Sequence, residues 1–245
     1  LTLQHLQNVV KPDGINLVPV YTNIRNLFDD SNFWAVRWHG TVLASVGYML
    51  SGKITDVFIP STNDLQHLAA WGSSPLIDPV FTTTNLRLYH DGLDQTRLDK
   101  VRMLSEWPVA LENVRVCTKV GLIPDGYLNC GVCEKCIRTK LELLACNALD
   151  KCSIFASSAI SDESISNLNA LTAYQASEYE ELIAPLRAID QEDHANAVNL
   201  LVKRWEGYNA WLNEEDWKGL IKRFLRRYLG GKTRDVNDLF PVRAI

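Results

Sequence analysis

The sequence predicts an α/β protein: a parallel sheet covered by helices on both faces, followed by a cysteine-rich loop and a helical carboxyl-terminal region. Three observations predict it. Short apolar runs alternate with helical patterns through the first half of the chain. Cys117, Cys130, Cys133 and Cys136 then crowd into one short segment. After Phe155 no strand pattern recurs, and apolar residues return at helical spacing. The expected division is therefore an α/β domain with its cysteine module over residues 1–156 and a helical appendage over 157–245.

Taken in order, Leu3, Leu6, Val9 and Val10 share a helical face that Pro12-Asp13-Gly14 ends. Ile15 to Tyr21 is nearly continuous in apolar residues, as a strand buried on both faces would be. Thr22 or Asn23 caps a brief helix through Phe28, and Asp29 to Asn32 reads as a turn. Phe33 to Leu50 is apolar on most sides, which predicts a largely buried helix, closed by Ser51-Gly52-Lys53. Ile54 to Ile59 and Asn85 to His90 are the next two strands, and Val114 to Cys117 a fourth. Between them, Leu65 to Thr84 is long and aperiodic, and such loops usually carry function. Thr96 and Asp99 have capping-box spacing and fix the start of a helix. Ligands of parallel sheets lie at the carboxyl ends of the strands, where the polar segments after Ile59 and His90 fall.

In the tail, Ser157 to Ser166 reads as a polar linker, and helices are expected over Leu168–Ile189, His194–Trp211 and Glu214–Leu229, the last capped by Gly230-Gly231. Trp205, Tyr208, Trp211, Trp217 and Phe224 supply packing surface. Lys218, Lys222, Arg223, Arg226, Arg227, Lys232 and Arg234 form either a solvated helix face or a site for RNA or another polyanion. A formal charge of -4 gives no general reason to favour nucleic acid. With 47% hydrophobic and 22% charged residues the composition is that of a globular protein. The longest apolar run, around Thr41 to Leu50, is too short to span a membrane. A cytoplasmic protein is the default, with homo-oligomerisation left open.

Four soft ligands in one segment are what a closed tetrahedral zinc site requires. Gly131 suits the turn that aims successive thiolates at one ion, and a helix over Thr139 to Leu149 would put Cys133 and Cys136 at its positive end. An iron–sulfur cluster also uses closely spaced cysteines plus a remote one, and unligated or redox thiols are the third option. Disulfides would need an oxidising compartment, for which there is no signal. Cys146 and Cys152 read as inert buried thiols.

Cys117, Cys130, Gly131, Cys133, Cys136 and Arg138 together resemble the zinc module of the 7-cyano-7-deazaguanine synthase family, within the PP-loop ATP pyrophosphatases of the adenine nucleotide alpha hydrolase superfamily. Ser61-Thr62-Asn63, the stretch Ser74 to Phe81 containing Asp78, and Thr96-Arg97-Leu98-Asp99 are similar to that family's substrate-side loop and later helix start. The resemblance implies a Rossmann-like (HUP-type) sheet, structural Zn2+, ATP with Mg2+, and adenylation of a small-molecule substrate. In that scheme Arg97 and Asp78 are the catalytic candidates, and Ser61, Asn63 and Lys100 bind the nucleotide or substrate. The residues alone also allow Arg97 and Lys100 to be a solvated helix face and Asp78 a turn residue before Pro79. His39 reads as a hydrogen-bonded core histidine, and Arg138 as the partner of a carboxylate or carbonyl beside the metal. The family's Ser-Gly-Gly-x-Asp-Ser phosphate turn occurs nowhere in the chain: if the natural protein is longer the turn is expected before Leu1, and if it is not the backbone donors that bind triphosphate are missing. Without it the rival class is a catalytically inactive, zinc-stabilised module that holds a protein or RNA partner through its tail.

Overall fold

A computed structural model describes residues 2–168, 171–212 and 219. The order is α1 (Thr2–Val10), α2 (Ser31–Phe33), α3 (His39–Met49), β1 (Asp56–Pro60), β2 (Arg87–Asp91), α4 (Arg97–Ser105), α5 (Pro108–Leu111), α6 (Glu134–Ala145), α7 (Asp162–Ser166), α8 (Ala173–Ala188) and α9 (Glu192–Leu212). A π-helical stretch, Trp34–Trp38, joins α2 to α3. The molecule is thus broadly α/β, with a small parallel sheet and a helical carboxyl-terminal side.

β1 and β2 pair in parallel, from Asp56 opposite Arg87 to Pro60 opposite Asp91. One face of the sheet packs under α3. Gly47 makes that approach: a Cβ there would lie 3.1 Å from Val57 Cγ2. Ala44, Ile59, Leu86 and Leu88 fill the space between. On the other face Phe58 stacks on Tyr89 at 4.9 Å and stays exposed. The expectation of a sheet covered on both faces is corrected accordingly, and α3 is correspondingly one-sided. Gly40, Val42, Ala44 and Gly47 are buried, whereas Leu43 and Met49 face outward.

Two expected strands are absent among the described residues. Ile15 to Tyr21 is irregular, with Ile15, Val18, Val20 and Tyr21 exposed. Pro19, in its middle, offers no N–H to a ladder, which confines such a run to an edge at best. Val114 to Cys117 has its ladder positions taken by a side chain. Asn129, fully buried, accepts from the N–H groups of Val116 (2.8 Å) and Cys117 (2.9 Å) and donates to the Val114 carbonyl (3.0 Å).

The helices close round two continuous cores. In one, Leu98 of α4 and Ile137 and Leu141 of α6 pack against Ile165 of α7, Tyr179 and Leu182 of α8 and Val198 of α9. This core draws on residues from both sides of position 156. The run Ser157 to Ser166 is correspondingly more than a linker. Ser161 caps α7 by accepting from Ser164 N–H, and Ile165 is wholly buried. In the second core, Leu111, Leu128, Leu143, Ile154 and Phe155 surround the cysteines. The expected capping box of Thr96 and Asp99 holds the start of α4, and a second one, Thr172 with Gln175, holds the start of α8. Apart from Gly219, the expected helix over Glu214–Leu229 lies outside the described residues, and so do Lys218, Lys222, Arg223, Arg226, Arg227, Lys232, Arg234, Trp217 and Phe224. None of the described helices is long and apolar enough to cross a membrane.

Candidate metal centre

Two backbone turns and one helix start bring the four cysteines together. Cys117 ends the extended segment that Asn129 holds, and the Lys119 N–H donates to its Sγ at 3.3 Å. Cys130 follows Asn129 directly, so the same buried amide sets both arms of the site. Gly131 then takes a left-handed φ of 75°, a conformation that favours glycine. This turn lets the Cys133 N–H point back at Cys130 Sγ at 3.4 Å. Cys133 is the N-cap of α6 and Cys136 lies in its first turn, where the helix dipole favours negative sulfur.

All four sulfurs lie within 4.8 Å of one another. Cys117 and Cys133 are 3.8 Å apart, Cys130 and Cys136 3.8 Å, and Cys133 and Cys136 3.5 Å. A tetrahedral ion with metal–sulfur bonds of about 2.3 Å has sulfur–sulfur edges of about 3.8 Å, so the quartet can hold a metal ion such as zinc. The cysteines are free rather than disulfide-bonded, and Cys117, Cys130 and Cys136 are buried.

The electrostatics divide the quartet. Burial raises the Cys130 thiol, but the N–H groups of Val132 and Cys133 and the neighbouring thiols outweigh it and bring the pKa down to about 7. Burial pushes Cys133 and Cys136 up. Lys140, one helical turn beyond Cys136, is itself buried, and burial draws its pKa down against the pull of Cys136 and Cys130. Cys146 and Cys152 stand apart from the quartet. Burial raises both, and Cys152 Sγ donates to the Leu111 carbonyl at 3.2 Å.

The other proposed site residues fall into two groups. At the carboxyl ends of the strands, Ser61 Oγ donates to the Gly92 carbonyl (2.7 Å) and accepts from Lys100 Nζ (2.8 Å). Burial lowers the pKa of Lys100 despite Asp64, Asp94 and Asp91 nearby. Asp78 is wholly buried, accepting from Ser73 Oγ at 2.7 Å and pairing with the His90 ring at 2.7 Å. It thereby fastens the long loop to the end of β2. Gly40 lets the same loop meet α3, since a Cβ there would fall 2.2 Å from the Gly72 carbonyl. Asn63 lines a small cavity with His90 and Ser74.

Arg97 belongs to a separate set. Its Nε lies 2.7 Å from Glu142 Oε1 and 3.8 Å from Glu178, and its Nη2 donates to Thr139 Oγ1. Arg138, almost fully buried, meets Glu178 and, at 3.3 Å, Glu134. This answers its predicted pairing with a carboxylate. Arg97 is thus held in an ion-pair network joining α4, α6 and α8 rather than on a solvated face. It edges a cavity of about 280 Å³ with Asp64, His67, Tyr174, Glu178 and Glu181. His39 is the hydrogen-bonded histidine expected, 3.0 Å from the Trp34 carbonyl and against Trp71.

Asn129, Lys140, Glu142, Glu178 and His90 escaped the sequence reading. Only Lys140 had a usable signal, its four-residue spacing from Cys136. The partners of the others come from distant segments. Comparison with protein-family models, curated proteins and solved structures gives no match.

Proposed function

We propose that the chain is a zinc protein in which Cys117, Cys130, Cys133 and Cys136 hold one structural ion. The observation that supports this most is the sulfur spacing, within 4.8 Å throughout. A cubane cluster, whose thiolates each bind a separate iron, needs a wider quartet. Four protein ligands leave no open position, which is the pattern of a structural rather than a catalytic zinc. The ion would pin the segment ending at Cys117 to the start of α6, and so to the core that carries α8 and α9. Elemental analysis of the purified protein tests this. One zinc per chain, lost in Cys130→Ser, is expected; a brown protein containing iron and sulfide overturns it.

A second reading makes the chain part of an ATP-dependent synthase that adenylates a small molecule with loss of pyrophosphate, after which a nitrogen nucleophile attacks the adenylate and displaces AMP. Its support is the resemblance, together with Ser61, Asn63, Asp78 and Lys100 near the carboxyl ends of β1 and β2. Arg97 supports it less, being engaged by Glu142. Titration calorimetry with ATP and Mg2+, on this chain and on a version extended upstream, decides it. No heat from either removes the nucleotide.

A further inference from the structure

Among the described residues the buried cations are Arg138 and Lys140, and their surroundings differ. Arg138 meets Glu178 and Glu134, and Arg97 meets Glu142. Lys140 lies two residues beyond Arg138 on the same helix, and its residue surface is only 3% exposed. No carboxylate pairs with it among the described residues. Its Nζ donates one hydrogen bond, to the Ala159 carbonyl at 3.1 Å, and lies 5.3 Å from the centre of the Phe155 ring. An ammonium has three donors and retains its charge only where an anion or water offsets it.

The turn that carries the cysteines is on the other side. Lys140 Nζ lies 3.4 Å from the point a Cβ on Gly131 would occupy, against the turn between Cys130 and Cys133. Lys140 is four residues after Cys136, so α6 presents both to one side. Four thiolates around a divalent ion leave two negative charges in a buried place. Burying such charge without a compensating cation is unfavourable, and a fixed cation nearby relieves it.

We infer that Lys140 is the internal counter-cation of the cysteine site, a positioning residue that offsets the charge left by four thiolates around a divalent ion and so sets how tightly the ion is held. The inference rests on the zinc reading and extends it from the ligands to what balances them. It also explains why a long cation is tolerated at a buried helix position flanked by Thr139 and Leu141.

The test uses the whole chain with Lys140→Met, which keeps the length and removes the charge. Zinc affinity is measured by competition with a chromophoric chelator. The variant is expected to bind about 10-fold to 100-fold more weakly, the usual consequence of removing a group that supports metal ligands. With Co2+ in place of zinc, the sulfur-to-metal absorption band should move to lower energy, because thiolates without a neighbouring cation give up electrons more readily. A defect of packing alone would not move that band. A folded variant with unchanged affinity and an unchanged band overturns the inference while leaving the metal site standing. Wild-type protein that binds no zinc overturns both. If Lys140→Met does not fold, wild-type protein labelled with 15N-lysine decides. A slowly exchanging Nζ ammonium signal that shifts when Cd2+ replaces Zn2+ supports the inference, and one insensitive to the metal overturns it.

Discussion

The half of the molecule built on the sheet and the half built on α6 pack their apolar side chains in opposite ways. Around β1 and β2, Phe58, Leu43, Met49, Leu76 and Val80 are exposed, and the buried part of the sheet core is Ala44, Ile59, Leu86 and Leu88. Around α6, Leu141, Leu143, Tyr179, Leu182 and Val198 have essentially no surface left. The difference shows that apolar content sets how much surface can be buried, while topology decides whether it is. A parallel sheet needs cover on two faces, and here α3 gives it one. A helix such as α6 needs a single groove on each side, which α4, α8 and the cysteine loop provide.

The comparison breaks most visibly through the metal. If the quartet holds zinc as proposed, removing the ion with a strong chelator should cost on the order of 10 kcal/mol of binding free energy that is also folding free energy, and Cys136→Ala should forfeit part of it. Hydrogen exchange read by mass spectrometry should then show amides of α6 and of residues 113–130 losing protection. Those of β1 and β2 should change little. Equal loss in both halves would mean that the two fold as one unit.

A matched pair of truncations sharpens the same contrast. Leu141→Ala empties a site with no exposed surface and should destabilise by about 2–5 kcal/mol. Phe58→Ala removes a ring that is 64% exposed and should cost less than about 1 kcal/mol. Denaturant unfolding of the two variants measures both. Asn129→Ala comes next, at about 3 kcal/mol, since it strands the N–H groups of Val116 and Cys117 and the Val114 carbonyl at once. It should also weaken metal binding, because the lost amide holds Cys117 and Cys130 in register.

What the sequence disclosed follows the range of the interactions. The cysteine quartet, the capping box at Thr96 and the paired strands near Ile54–Ile59 and Asn85–His90 are patterns set by residue type and spacing within short segments. Ile15–Tyr21 forms no strand because Pro19 interrupts its N–H ladder, and because an apolar run pairs only where a neighbour accepts it. Val114–Cys117 failed because its neighbour is a single side chain 12 or more residues away. Arg97 was legible as a basic residue at a helix start. That Glu142 and Glu178 would hold it depends on how α6 and α8 cross, which no spacing in the chain encodes.

The smallest effect expected concerns two carboxylates whose acidities move in opposite directions, one in each half. Glu142 lies between α4 and α8, facing Arg97 and Arg138 with Glu134 and Glu178 beyond them. Burial raises its pKa above 4.5 despite the two guanidinium groups. Asp56, in the sheet half, is lowered below 3.8 by the Thr55 hydroxyl and by Arg87, 2.9 Å away. A carboxyl that is harder to ionise in the folded state contributes stability that is full below its unfolded pKa of 4.5 and disappears as pH rises through the folded value. A carboxyl that ionises more easily contributes stability that is full above 3.8 and disappears as pH falls through the folded value. Glu142→Gln keeps an oxygen for Arg97 Nε and removes the titration, so its unfolding free energy should lose a downward slope with pH above 4.5. Asp56→Asn should flatten only the acid limb below 3.8, and weakly, since that pair is solvated. Denaturant unfolding across pH at fixed ionic strength separates the two. A slope above pH 4.5 that survives Glu142→Gln would place the responsible carboxyl elsewhere in the helical half.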